Sequence, residues 1–225
     1  MAYVQSQFST EGASPKTCVL SGVAAGNTLV AFVLADGSGA PTGASSSLDG
    51  AMTAQGSVIG PTNAVSLQIY VKQNCSSGSH TFTGTSANDV QIIVAEFTAP
   101  TSGTLNSNKN SQAAPGASAD AITTGSITVA ASATIVALAC DVTNTGAGYQ
   151  PVAGTGFTVK QGTNNADMGS WSLEVASFSS NHAATFTVGA SDGTGANSYI
   201  SAGIAIPEPS GVPSPSAIRR IYINP

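Results

Sequence analysis

The feature that most limits what this chain can fold into is a stretch that occurs twice. Val23-Ala24-Ala25-Gly26-Asn27-Thr28-Leu29-Val30-Ala31-Phe32-Val33 is a turn followed by an apolar run. Val129-Ala130-Ala131-Ser132-Ala133-Thr134-Ile135-Val136-Ala137-Leu138-Ala139 repeats its plan 106 residues later. The same spacing carries Gln55-Gly56 onto Gln161-Gly162 and Ser66-Leu67 onto Ser172-Leu173, and sets Val65, Leu67 and Ile69 against Trp171, Leu173 and Val175. With small changes of spacing, Thr81-Phe82-Thr83 matches Thr185-Phe186-Thr187, and Ala95 and Pro100 match Ala202 and Pro207. A collinear series of this kind points to a duplicated unit. It divides the chain into residues 1–100, residues 101–207 and a Pro-rich linker with a C-terminal arm, residues 208–225.

The period of the apolar residues says what the unit is made of. Thr28–Leu34 is apolar at nearly every position and is expected to be a central strand buried on both faces. In the stretch from Val65 to Lys72, Val65, Leu67, Ile69 and Val71 alternate with Ser66, Gln68, Tyr70 and Lys72, which reads as a strand with one face in the core and one in solvent. Asp36 to Gly43 and Gly146 to Gly156 read as exposed loops. Residues 100–119 are long for a connection, and part of them is expected to pair as an edge strand. No segment sustains a period of 3.6. The fold expected is all-β: an antiparallel β-sandwich of jelly-roll or immunoglobulin-like type, built from two repeated halves. Sequence leaves open whether the halves are separate or merge.

Composition narrows the function. Only 8% of the 225 residues are charged, with six Lys and Arg and a formal net charge of −5. Nucleic-acid binding is not expected, because it needs clustered cations. No apolar run has transmembrane length, so no membrane span is expected. The sequence opens without a basic, then apolar, leader, and the expectation is a protein made in a cytoplasm. Cys18, Cys75 and Cys140 are odd in number and do not occupy repeat-equivalent places, which suits three thiols in a reducing compartment.

Chemistry is sparse. Gly189-Ala190-Ser191-Asp192-Gly193 has the outline of a nucleophile elbow but lies between β segments, where the mechanism would need a strand-to-helix turn. His80 and His182 lack a second ligand at metal spacing and read as strand-edge imidazoles in contact with solvent. Asp141-Val142-Thr143-Asn144-Thr145-Gly146 begins like a calcium loop but has none of its further carboxylates. Glu96 and Glu174 fall in strands and are not repeat mates. Trp171 maps onto core-facing Val65 and is expected in the core. No catalytic, metal or cofactor site is expected. Tyr149, in the second long loop, is the candidate for stacking on a glycan.

The end of the chain differs from the rest. Pro207, Pro209, Pro213 and Pro215 bar a ladder. Beyond them Ile218, Arg219, Arg220, Ile221, Tyr222 and Ile223 combine apolar anchors with two of the six cations. This segment is the candidate partner-binding site, by strand addition to a neighbouring subunit.

The runs from Ala25 to Val33, from Leu67 to Val71 with Gly78 to Thr83, and from Trp171 to Ala176 resemble the small-residue-rich β-sandwich proteins of tailed-bacteriophage virions and of bacterial surfaces. The resemblance spans about residues 1–207. It implies a non-enzymatic virion protein, a capsid decoration (cement) or head-fibre component, forming a homo-oligomer and docking on other virion proteins through surface loops and the arm. The alternative it implies is a glycan-binding module or receptor-binding appendage tip, with the loops at Gly37–Gly43 and Gly146–Gly156 touching host polysaccharide.

Overall fold

The structure is a computed structural model and describes residues 1–37, 39–60, 65–98, 105–113, 121–129, 132–141, 150–164, 169–187 and 198–208. Nine strands come from the first half: β1 (Tyr3–Phe8), β2 (Lys16–Val23), β3 (Thr28–Ala35), β4 (Pro41–Ser46), β5 (Gly50–Ala51), β6 (Thr53–Ile59), β7 (Ser66–Lys72), β8 (Gly78–Ser86) and β9 (Val90–Phe97). Eight come from the second: β10 (Asn106–Ala113), β11 (Ala121–Ile127), β12 (Ala133–Asp141), β13 (Val152–Ala153), β14 (Thr158–Asn164), β15 (Ser170–Phe178), β16 (His182–Thr187) and β17 (Ser198–Pro207). All their pairings are antiparallel, and no helix occurs among the described residues. The all-β expectation holds, and the edge strand expected between the halves is β10.

The strands form four sheets. The first half builds an inner sheet of order β1-β9-β3-β7-β6 and an outer sheet of order β2-β8-β4-β5. The second builds an inner sheet of order β10-β17-β12-β15-β14 and an outer sheet of order β11-β16-β13. The two inner sheets thus have the same plan, with β3 and β12 at their centres.

Side-chain alternation explains the layering. Val30, Phe32 and Leu34 of β3 meet Val136, Leu138 and Cys140 of β12 in one apolar core between the inner sheets. Leu29, Ala31 and Val33 point the other way, toward Cys18, Leu20 and Phe82 of the first outer sheet. On β12, Ala137 and Ala139 pack toward Ile122 and Phe186, and Ile135 toward Ile127. A strand covered on both faces must be apolar at every step, which is why the repeated run is continuous and not alternating. The order is therefore outer, inner, inner, outer, and the two halves share their largest core.

Small residues set the spacing of the layers. A methyl at Gly203 would come within 2.7 Å of Ile127 Cδ1, and one at Gly84 within 3.0 Å of Ile92 Cβ. At Gly203 the Ile127 side chain would have to turn aside, and at Gly84 the neighbour is a Cβ fixed on its own strand, so close approach of this sort favours glycine.

Three readings are corrected by the fold. β7 is not half-exposed: Ser66, Gln68 and Tyr70 are buried too. Their polar atoms find partners under the outer layer, Ser66 Oγ donating to Gly39 O at 2.9 Å, Gln68 Nε2 to Gly56 O at 2.8 Å and Tyr70 OH to Pro41 O at 3.3 Å. The loop expected over Asp36 to Gly43 is shortened by β4, whose Pro41 and Ala44 are buried. The repeat matches also slip. β3 pairs Leu34 with Leu67, whereas the counterpart of Leu34 at 106 residues, Cys140, pairs with Trp171. In the ladder Trp171 therefore stands where Leu67 does, two residues from its sequence match. On the other side Val30 pairs with Ala95 and Val136 with Ile204, so Ala95 answers to Ile204 and not to Ala202.

Candidate functional site

Several of the described titratable side chains are built into the layers. His80, expected in solvent, is fully buried on the inward face of β8. Its Nε2 lies 2.9 Å from Ser76 O, its Nδ1 lies 2.7 Å from Ser46 Oγ, and Asp49 Oδ2 is 3.6 Å from Nδ1. Nε2–H donates to the Ser76 carbonyl, and Nδ1 faces both the Ser46 hydroxyl and the Asp49 carboxylate. Asp49 also accepts from Ser76 N and Ser76 Oγ, the latter at 2.7 Å. A serine, a histidine and an aspartate meet here, but serine and aspartate share one ring nitrogen and the other is held by backbone. The arrangement clasps the turn after β4 to the loop before β8; it does not line up a base between a nucleophile and an orienting acid. His182 is half-buried and stacked on Phe178, ring centroids 3.6 Å apart, with Phe157 5.2 Å from Phe178.

The two strand glutamates are both buried and stand in opposite surroundings. Glu96 Oε1 accepts from Ala24 N at 3.0 Å and Asn27 Nδ2 at 2.6 Å, and Oε2 from Gln5 Nε2 at 2.6 Å. This ties the repeated turn to β9. Among the described residues Glu174 Oε2 accepts from Gly154 N alone, at 3.2 Å, and its Oε1 has no hydrogen-bond partner. Burial raises the Glu174 carboxyl from 4.5 to about 8, against the opposing pull of the Gly154 N–H, so it is protonated at neutral pH.

All three cysteines are buried and none is in a disulfide. Burial lifts the Cys18 thiol to about 12; burial, with Asp49 and Glu96 nearby, lifts Cys75 to about 11; burial raises Cys140 as well. Thiols so placed are poor nucleophiles. Trp171 is in the core between the halves, as expected, with Nε1 donating to Gln91 Oε1 at 3.1 Å and its ring edge-on to Phe8 at 5.3 Å. Among the described residues no group of three or more His, Cys, Asp or Glu is placed to hold a metal ion.

The remaining features lie at sheet borders. Val4 on β1, Val58 on β6 and Val159 on β14 are exposed, and each sits at a register shift of its border strand. The stacked borders are stitched by Ser6 Oγ donating to Gln161 Oε1 and by Lys160 Nζ 5.3 Å from the centre of the Tyr3 ring. Sequence reasoning missed the clasp at His80 and the bulges. The bulges leave only a weak trace, a break in alternation such as Thr53 to Ile59 shows.

Of the candidate contact residues, Ile218, Arg219, Arg220, Ile221, Tyr222, Ile223 and Tyr149 lie outside the described residues, as does Ser191. No family model, curated protein or solved structure matches the chain.

Proposed function

We propose that this protein is a non-enzymatic structural component of a tailed-phage virion, a capsid decoration or head-fibre subunit that works as a homo-oligomer and docks through its C-terminal arm. The observation that carries the reading is the body itself. Four stacked sheets enclose apolar cores between successive layers, the largest shared by the two halves, and buried polar side chains such as Ser66, Tyr70 and Trp171 join one layer to the next. A stack of this kind is a stiff block suited to bearing load between partners. The sequence resemblance supplies the virion setting. Binding then falls to segments beyond the block, and the arm concentrates Ile218, Ile221, Tyr222 and Ile223 beside Arg219 and Arg220, the anchor types that dominate interfaces.

Deleting residues 210–225 tests this. The shortened protein is expected to keep the melting temperature of the body and to lose attachment to the particle or to its oligomer. Retained attachment would overturn the role of the arm, and specific binding on a glycan array by the shortened body would move the reading to receptor recognition.

A further inference from the structure

Eight strands border the four sheets, and seven of them are interrupted or very short. Register shifts occur in β1 between Tyr3 and Gln5, in β2 between Leu20 and Val23, in β6 between Gln55 and Ile59, in β11 between Thr123 and Ser126, and in β14 between Val159 and Gln161. β5 and β13 have two residues each. Bulges and short strands are the means by which sheets refuse a foreign strand.

β10 has neither protection. Asn106 to Ala113 pair one for one with Ala205 to Ser198, without a shift over eight residues, and no described strand pairs with the other side. Its outward N–H and C=O groups form the one long unbroken row at a sheet border among the described residues. The sequence Asn-Ser-Asn-Lys-Asn-Ser-Gln-Ala carries a single charge, so recognition there would run through the backbone.

We infer that the outer side of β10 accepts an extended strand, and that its occupant is residues 218–223 of a second copy of this chain. The inference rests on the docking role of the arm and names the surface it docks on. The body ends beside this border: Asn106 pairs with Ala205, and Glu208 lies three residues further along the same strand direction. Residues 209–225 start from that place. Ile218-Arg219-Arg220-Ile221-Tyr222-Ile223 has the β-branched and aromatic content that favours a strand, and it is free of proline. Pro209, Pro213 and Pro215 favour an extended linker, and nine such residues span about 28 Å. That is about the length of β10 itself, at roughly 3.3 Å per residue. An extended linker therefore delivers the segment past its own border and within reach of a neighbour's.

Amide hydrogen exchange on the full-length protein tests the inference. Along β10 the N–H groups point alternately to β17 and outward. At high protein concentration the outward set is expected to exchange roughly tenfold or more slowly than open amides. It should lose this protection on dilution and in Ile221→Pro, while the set facing β17 stays protected throughout. Outward amides that exchange fast at high concentration would overturn the inference, and so would protection that survives Ile221→Pro. Protection independent of concentration would assign the border to the chain's own arm and overturn the second copy. If the β10 amides are open but deletion of residues 210–225 still detaches the protein, the acceptor surface is wrong and the docking role stands.

Discussion

Glu96 and Glu174 are two buried carboxyls that differ in the hydrogen-bond donors around them, and at Glu174 burial prevails over its donor and raises the carboxyl. Both are fully buried, but among the described residues Glu96 collects three donors and Glu174 one. In the unfolded chain a glutamate releases its proton near 4.5, whereas folded Glu174 holds it to about 8. Between those values the folded state binds the proton and the unfolded state does not, so this residue's contribution to stability falls as pH rises through the window. Glu174→Gln has the shape of the protonated acid and does not titrate. It is expected to match the parent near pH 5 and to exceed it at pH 8 by on the order of 1–3 kcal/mol. Urea unfolding at both values checks this; a parent equally stable at the two would show the carboxyl ionised in the fold. Sequence placed both glutamates on strands correctly. It gave no sign of their partners, because Asn27, Gln5 and Gly154 are distant in the chain and arrive only through the layering.

At the level of strands, what was legible was the face of each residue, and what was not was register. Val65, Leu67 and Ile69 do face the shared core, and so do Trp171, Leu173 and Val175. Yet the ladder pairs Leu67 with Leu34 and Leu173 with Leu138, displaced by two residues from the pairing that the repeat spacing implies. A slip of two leaves every side chain on its own face, so it does not disturb the pattern from which the strands were read. The polar residues of β7 misled for a related reason: alternation reports two different faces, and here the second face is covered by an outer sheet and not by water. Leu67 and Leu173 remain comparable in burial and in neighbours. Leu67→Ala and Leu173→Ala should each cost about 2–5 kcal/mol, with similar values for the two. Chemical denaturation of the two variants measures it, and a cost below the range at either site would mean that its strand relaxes around the cavity.

The whole molecule has the arrangement of a dimer joined into one chain. β1 lies against β14 and β6 against β10, while β7 lies against β17 and Gln91 of β9 reaches Trp171 of β15. In the matched strand orders β1 answers to β10, β6 to β14, β9 to β17 and β7 to β15. Each contact thus has a counterpart with the halves exchanged, which is the rule of an isologous two-fold interface. The repeat in the sequence made two like halves legible; that they would face each other was not, because both faces of β3 and β12 are apolar and nothing in the run says which one meets the other half. The arrangement has a consequence for unfolding. Opening one half would bare the apolar inner face of the other, Val136, Leu138 and Ile204 in one case, Val30, Phe32 and Ile93 in the other, and a half left with such a face in water is not a stable intermediate. The halves are therefore expected to melt in a single transition, unlike domains joined by a small polar contact. Phe32→Ala and Leu138→Ala should lower that one transition alike, though they lie in different halves. Trp171, the sole tryptophan, stands at the junction with Phe8 and Gln91 and reports on it directly. Its fluorescence should change in the same step as the far-ultraviolet circular dichroism. Two resolved steps, each moved by only one of the variants, would mean that the halves are independent and that the core between them contributes little.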